Sequence, residues 1–302
     1  MQDMQSTKPE WSYDDFKKRV KKEVEYRLDG LVSIQQITKN NGLELDGLTI
    51  LAAGVNISPT IYLNYYYDKF LQYGLDAVVK EILEVYEQNK PKEAIDISFF
   101  TDAQKICNKI KMKLINYERN KELLKKVPHI KYLDLAIVFY AEVQNTADGL
   151  ATILIYNHHM TFWNFTVEEM FKLANENMAE DFKIIPMLDI VYDIMPEEFA
   201  EVFEREAKVK VGMITNDSQM HGAIGMLQTN LLLEYMKKYH TERLIIIPSS
   251  IHEVLLIPCD PETDVESFKE MVQEVNATQL QPEEVLSDNV YIYDGNEIQI
   301  IK

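Results

Sequence analysis

Two short stretches of this 302-residue chain, together with one aspartate, hold side-chain types that do chemistry in other settings. The adjacent pair His158-His159 offers two imidazoles, and neutral imidazole is a common metal ligand. Asp134 opens a neighbouring predicted strand and adds a carboxylate, so His158, His159 and Asp134 are the candidate catalytic set of a metal-assisted hydrolase. Adjacent strand residues point to opposite faces, so the two rings converge on one ion only where the strand runs out into a loop. The plainer reading packs one histidine under Phe162-Trp163 and leaves the other exposed. No three ligands share a spacing typical of a metal centre, so neither a bound metal nor a cofactor is expected.

Ser249, Ser250, His252 and Glu253 contain the residue types of a nucleophilic triad. Neighbours this close along a chain rarely reach the required geometry, in which the base touches the nucleophile and an acid orients the base. No Gly-x-Ser-x-Gly elbow is present, and the second histidine of a His-Glu-x-x-His motif is replaced by Leu256. A β-turn whose serines cap backbone groups explains the stretch. His221-Gly222-Ala223-Ile224-Gly225 lacks the spacing of a phosphate loop, and its glycines read as points of close backbone approach.

Two further stretches have the character of binding surfaces. Nine basic residues lie between Lys105 and Lys131, opposed only by Glu118 and Glu122. Within a predicted helix over 101–114, Lys105, Lys109 and Lys113 would share one face. With Lys121 they form a candidate attachment surface for an acidic protein partner, against the commoner reading of a solvated face. The run from Ile61 to Tyr73 is dense in tyrosine, whose large ring and polar tip suit interfaces. A helix burying Tyr62, Tyr66, Phe70 and Tyr73 leaves Tyr65 and Tyr67 over as candidate binding residues.

The elements that must position these residues follow from periodicity. Phe16, Val20, Val24 and Leu28 recur every four residues after Ser12, which predicts a capped amphipathic helix over 12–28 ended by Asp29-Gly30. Strands over 31–38 and 43–51 flank Asn40-Asn41-Gly42 and predict a hairpin. Helices are expected over 76–86, from Thr166 to about 178, over 230–239 and over 264–275. Strands are expected over 134–142, 151–157, 208–215, 223–226, 243–247 and 253–257, with a terminal hairpin over 290–301. The predicted fold is α+β: antiparallel sheets with helices packed on one face, in two closely packed modules, 1–125 and 126–302. From about residue 130 onward, one antiparallel sheet is expected, with 134–142, 151–157, 208–215 and 253–257 among its strands.

Composition narrows the function classes. Apolar residues make up 46% of the chain and charged residues 26%, the balance of a core-forming protein. The net charge is −18, which opposes general nucleic-acid binding. The charge is uneven: residues 1–150 carry 21 basic and 22 acidic side chains, and the remainder 10 and 27. Two distant cysteines, Cys107 and Cys259, exclude a disulfide framework and a thiolate zinc site. No apolar run reaches the roughly 20 residues of a membrane span, and no signal-like segment opens the chain, so a cytoplasmic location is expected.

The stretches Asn40–Gly47, Ser58–Leu63, Leu133–Tyr140, Pro248–Val254 and Val275–Tyr291 resemble an uncharacterised family of anaerobic Firmicutes proteins. The resemblance covers roughly residues 12–302, and the tail is also similar to a second bacterial family without assigned function. It implies a cytoplasmic bacterial protein and carries no catalytic residue to transfer. The function expected from the residues is that of a binding or interaction protein without catalysis; the alternative is the hydrolase built on His158, His159 and Asp134.

Overall fold

The computed structural model describes residues 11–28, 30–91, 98–146, 149–194, 196, 210–259, 263 and 265–301. Asp29, Lys208 and Asp264, which bound three of the expected elements, lie outside these residues. The chain divides into two compact units, residues 1–39 with 43–97 and residues 40–42 with 98–302.

In the first unit, helix α1 (Tyr13–Arg27) starts where the Ser12 hydroxyl accepts the Asp15 amide, and it buries Phe16, Val20 and Val24. Strands β1 (Leu31–Thr38) and β2 (Glu44–Leu51) pair antiparallel with Leu31 opposite Leu51 and Thr38 opposite Glu44. A short strand β3 (Thr60–Tyr62) joins the far side of β2. The sheet order is β1-β2-β3, so β1 and β3 are its edges. A 3-10 turn (Leu63–Tyr66), helix α2 (Tyr67–Tyr73) and helix α3 (Leu75–Asn89) complete the unit. Val78, Val79, Ile82 and Tyr86 of α3 close the core over Leu48, Ile50 and Ile61.

The second unit opens differently from the expected helix over 101–114. Asp102 caps a single turn, α4 (Ala103–Ile106), a 3-10 turn follows, and strand β4 begins at Ile110 and runs to Asn116. Ile110, Met112 and Leu114 are buried and alternate with Lys111 and Lys113, a period of two that outweighs the four-residue spacing of the lysines. After α5 (Lys121–Leu124) come β5 (His129–Tyr132), β6 (Leu135–Thr146) and β7 (Gly149–Leu154). β6 takes β4 on one side and pairs with β5 and β7 at its two ends. β4 thus belongs to the second unit, whose longer segment begins at residue 98.

Helices α6 (Asn157–Trp163) and α7 (Val167–Asn177) follow, the second with a reciprocal cap between Thr166 and Glu169. Then come β8 (Phe182–Pro186), α8 (Met187–Ile194) and β9 (Gly212–Asn216). Residues 222–227 form a 3-10 turn, not the strand expected over 223–226. Helix α9 (Thr229–Tyr239), strands β10 (Arg243–Pro248) and β11 (Val254–Cys259), helix α10 (Glu266–Thr278) and the hairpin β12 (Tyr291–Tyr293) and β13 (Ile298–Ile300) complete the second unit. The second half forms two antiparallel sheets instead of one: the β4–β7 group, and a six-stranded sheet ordered β13-β12-β10-β11-β9-β8. Its central strand β10 is buried on both faces. Leu244 and Ile246 join the main core, while Ile245 and Ile247 join a smaller cluster with Val272 of α10. That double burial explains why residues 244–247 are apolar without alternation. Among the described residues no helix is long and apolar enough to cross a membrane.

Candidate functional site

The antiparallel pairing of β9 with β11 sets Ile214 opposite Val254. It brings the segment after β9 to the β10–β11 turn, and so joins the two weak motifs at 221–225 and 249–253. Asn216 is buried and organises the first segment: its Oδ1 accepts from the Ser218 hydroxyl (3.0 Å) and the Met220 amide (3.2 Å), and its Nδ2 donates to the Met220 carbonyl (2.9 Å). His221 then takes a left-handed conformation (φ 59°). Its backbone N–H donates to His252 Nδ1 at 3.2 Å, and the two rings stack 5.7 Å apart at 15°. Thr215 Oγ1 donates to the His252 carbonyl at 3.2 Å.

The turn is held from its own side. Ser250 Oγ accepts the His252 amide (2.9 Å) and donates to Glu253 Oε1 (2.7 Å). These are the capping bonds expected of a turn serine, and they direct the hydroxyl to a carboxylate instead of an imidazole. With His252 Nδ1 used as an acceptor, the proton of this neutral ring sits on Nε2, 4.0 Å from Glu284 Oε1. His221 Nε2 lies 3.5 Å from Lys113 Nζ, which only donates, so the neutral His221 ring carries its proton on Nδ1. That Nδ1 is buried without a hydrogen-bond partner among the described residues. Burial, then the nearby Lys113 charge, push the His221 pKa down to about 2. Burial also lowers that of His252. Two neutral imidazoles are thus stacked on each other, with Lys113 of β4 and Tyr140 of β6 beside the His221 ring.

The expected hydrolase residues are not brought together. Asp134 accepts from Ser287 Oγ (2.6 Å), Asn289 Nδ2 (2.9 Å) and Tyr291 OH (2.8 Å), a latch onto the tail of the chain. His158 and His159 lie in the first turn of α6, not at the end of a strand. His159 Nδ1 accepts the Tyr156 amide at 3.1 Å, and its ring packs on Phe100 and Trp163. His158 is exposed. Among the described residues no group of three or more histidine, cysteine, aspartate or glutamate side chains is placed to hold a metal.

The basic stretch is divided rather than presented on a single helix face. Lys105 lies in α4 near Asp102, Lys109 sits over the Phe99 ring, and Lys113 is on β4. Lys121 pairs with Glu118, Lys125 with Glu122 and Arg119 with Asp288. Lys111 is held between Asp181 (2.8 Å) and Glu142 (3.1 Å). Much of the local positive charge is therefore met by carboxylates, those of Glu142, Asp181 and Asp288 lying elsewhere in the sequence.

The tyrosine run forms a groove in the first unit. It encloses about 450 Å³ between β3, the 3-10 turn and α3, with Ile61, Tyr62, Tyr65, Tyr66, Lys69 and Val85 among its lining. Tyr65 is 51% exposed and meets Tyr62 edge-on at 6.4 Å. Lys69 pairs with Glu81 across the groove. Tyr67 is not a surface residue of this kind. Its hydroxyl donates to the Trp11 carbonyl, and its ring packs on Tyr13, Phe16 and Phe70. Tyr73, expected in the core, is 65% exposed.

A family of unknown function, DUF5688, matches residues 13–295. The chain belongs to this family. No curated protein and no solved structure matches it. The DUF5688 match takes in the histidine clamp, the Asp134 latch and the tyrosine groove alike.

The clamp makes a pH prediction for this DUF5688 member. Unfolded His221 binds a proton near pH 6.5, whereas folded His221 resists one down to about pH 2. The unfolded state therefore binds more protons throughout that window, and stability falls as pH drops below 6.5, by about 1.4 kcal/mol per pH unit from this residue. Asparagine tolerates the left-handed conformation, so His221→Asn should flatten the slope. Urea midpoints at pH 7, 5.5 and 4.5 measure it; equal slopes in the two proteins would refute a buried neutral His221.

Proposed function

We propose that this DUF5688 member is a binding protein without catalytic activity, and that its groove takes an extended peptide along β3. The observation that carries the reading is the tyrosine groove beside an open strand edge. Ile61 pairs with Leu48 of β2, so both main-chain groups of Thr60 and the N–H of Tyr62 face away from β2, toward the groove side, while the Tyr62 carbonyl opens the 3-10 turn. A peptide laid there would gain main-chain hydrogen bonds from β3 and side-chain contact with Tyr62, Tyr65 and Tyr66. The volume lies in the range of ligand sites, roughly 300–1,000 Å³. Three of the groups capable of acid–base or nucleophilic work are held in structural bonds: Asp134 by three donors, Ser250 by Glu253, and His252 by the His221 amide. Cys107 and Cys259 are both unbridged, which fits a reducing cytoplasm.

The test is selection of a displayed random peptide library on the immobilised full chain, followed by fluorescence anisotropy with the enriched peptide. Truncating a central aromatic anchor typically costs about 2 kcal/mol or more. Tyr65→Ala should therefore weaken binding by about 30-fold while leaving the urea midpoint unchanged. Failure to enrich any peptide, or equal affinity for Tyr65→Ala, would overturn the reading.

A further inference from the structure

The other edge of the same sheet is longer and more regular. Every residue of β1 pairs with β2 in unbroken register from Leu31 to Thr38. The direction of each main-chain group can be worked out from bonds on β2. The Ile50 amide is taken by Ser58 Oγ and the Asp46 amide by Asn64 Oδ1, so both point away from β1. Their partners Val32 and Gln36, and with them Ile34 and Thr38, must then direct their own N–H and C=O groups outward from the sheet. Among the described residues nothing pairs with these outward groups. The edge is also accessible: Leu31, Gln35, Gln36 and Thr38 are exposed.

An eight-residue open edge is a liability that proteins usually blunt with lysine, proline or a bulge. Leu-Val-Ser-Ile-Gln-Gln-Ile-Thr has none of these. It also carries no charge, in a chain whose net charge is −18. The unit that holds it is nearly balanced, with 12 basic and 16 acidic residues over 1–97. Like charges opposite one another destabilise strand pairs, and a second copy meets none here.

We propose that β1 is a self-association edge, on which a second copy of this chain adds its own β1 antiparallel about a two-fold axis. This does not depend on the peptide groove at β3. The outward groups at 32, 34, 36 and 38 are symmetric about residue 35, so one register satisfies all of them. Val32 faces Thr38 of the other copy, Ile34 faces Gln36, and Gln35 faces Gln35. About eight main-chain hydrogen bonds form, and the two three-stranded sheets become continuous. Gln35 meets itself at a non-hydrogen-bonded position, where Cα atoms approach to about 4.5 Å and the two amides can donate to and accept from each other. Leu31, 72% exposed, falls beside the aliphatic stem of Lys39 of the other copy.

Sedimentation velocity on the full chain between 1 and 100 µM should show a concentration-dependent dimer. Gln35→Glu sets two carboxylates against each other at the axis and should weaken dimerisation at least tenfold, with the far-UV spectrum and urea midpoint unchanged. Gln35→Cys should crosslink two chains under mild oxidation. Ser33→Cys should not, because its copy lies four residues along the strand, about 13 Å away. A monomer at every concentration would overturn the proposal. So would a dimer indifferent to Gln35→Glu, or a Ser33→Cys variant that crosslinks as efficiently as the Gln35→Cys variant.

Discussion

Replacing Asp134 with alanine is expected to cost the folded state about 4 kcal/mol, because it orphans a buried set of donors around a lost charge. Ser287 and Tyr291 are fully buried, and both hydroxyls donate to this carboxylate. Burial, and then the Asp134 charge, hold the Tyr291 phenol well above its usual range, so it stays a donor. Alanine leaves Ser287, Asn289 and Tyr291 facing a small cavity. Asparagine should cost only about 2 kcal/mol. Its oxygen retains Ser287 and Asn289, and its amide can donate to a rotated Tyr291 hydroxyl. Urea denaturation of the three proteins ranks them. Equal midpoints for the alanine variant and the parent would show that the tail does not depend on the latch.

Gly222→Ala is the second large effect expected, at about 3 kcal/mol or more. A Cβ there would lie 2.5 Å from the His252 carbonyl oxygen and 2.9 Å from the Thr215 Cα. Both are backbone atoms, so neither can turn aside, and the β10–β11 turn must move away from the segment after β9. Gly225 meets equally close atoms, but they belong to the side chains of Ile214 and Phe182. Gly225→Ala should therefore cost less. Thermal denaturation separates the two; a Gly222 variant as stable as the parent would mean that the turn and the segment are not held together.

How far these features can be read in advance depends on how local their causes are. Helix α1 shows in the spacing of Phe16, Val20 and Val24 behind Ser12, and α7 shows in the Thr166 cap. The β1–β2 hairpin shows in Asn-Asn-Gly between two β-rich runs. β4 is obscured because Lys105, Lys109 and Lys113 happen to recur at helical spacing, while the alternation of Ile110, Met112 and Leu114 decides the structure. His158 and His159 follow a strand-like run, but the chain turns into α6, where His159 Nδ1 accepts the Tyr156 amide and the His159 amide donates to the Tyr156 carbonyl. The clamp has no local signature. Its two halves are 31 residues apart and meet only through pairing of β9 with β11. The neutralised basic stretch is similar, since Lys111 finds Asp181 at a separation of 70 residues.

The Asp134 latch also has a temporal meaning. Asp134 and Ser287 are 153 residues apart, and a ribosome adds roughly 5–20 residues per second. For roughly 8–30 s during translation the nascent chain carries this aspartate hydrated, with the Leu244–Ile246 edge of β10 still waiting for β12. The second unit closes its larger sheet only after Tyr291–Tyr293 has left the exit tunnel. Chains released before residue 287 therefore present an open apolar strand to chaperones and proteases.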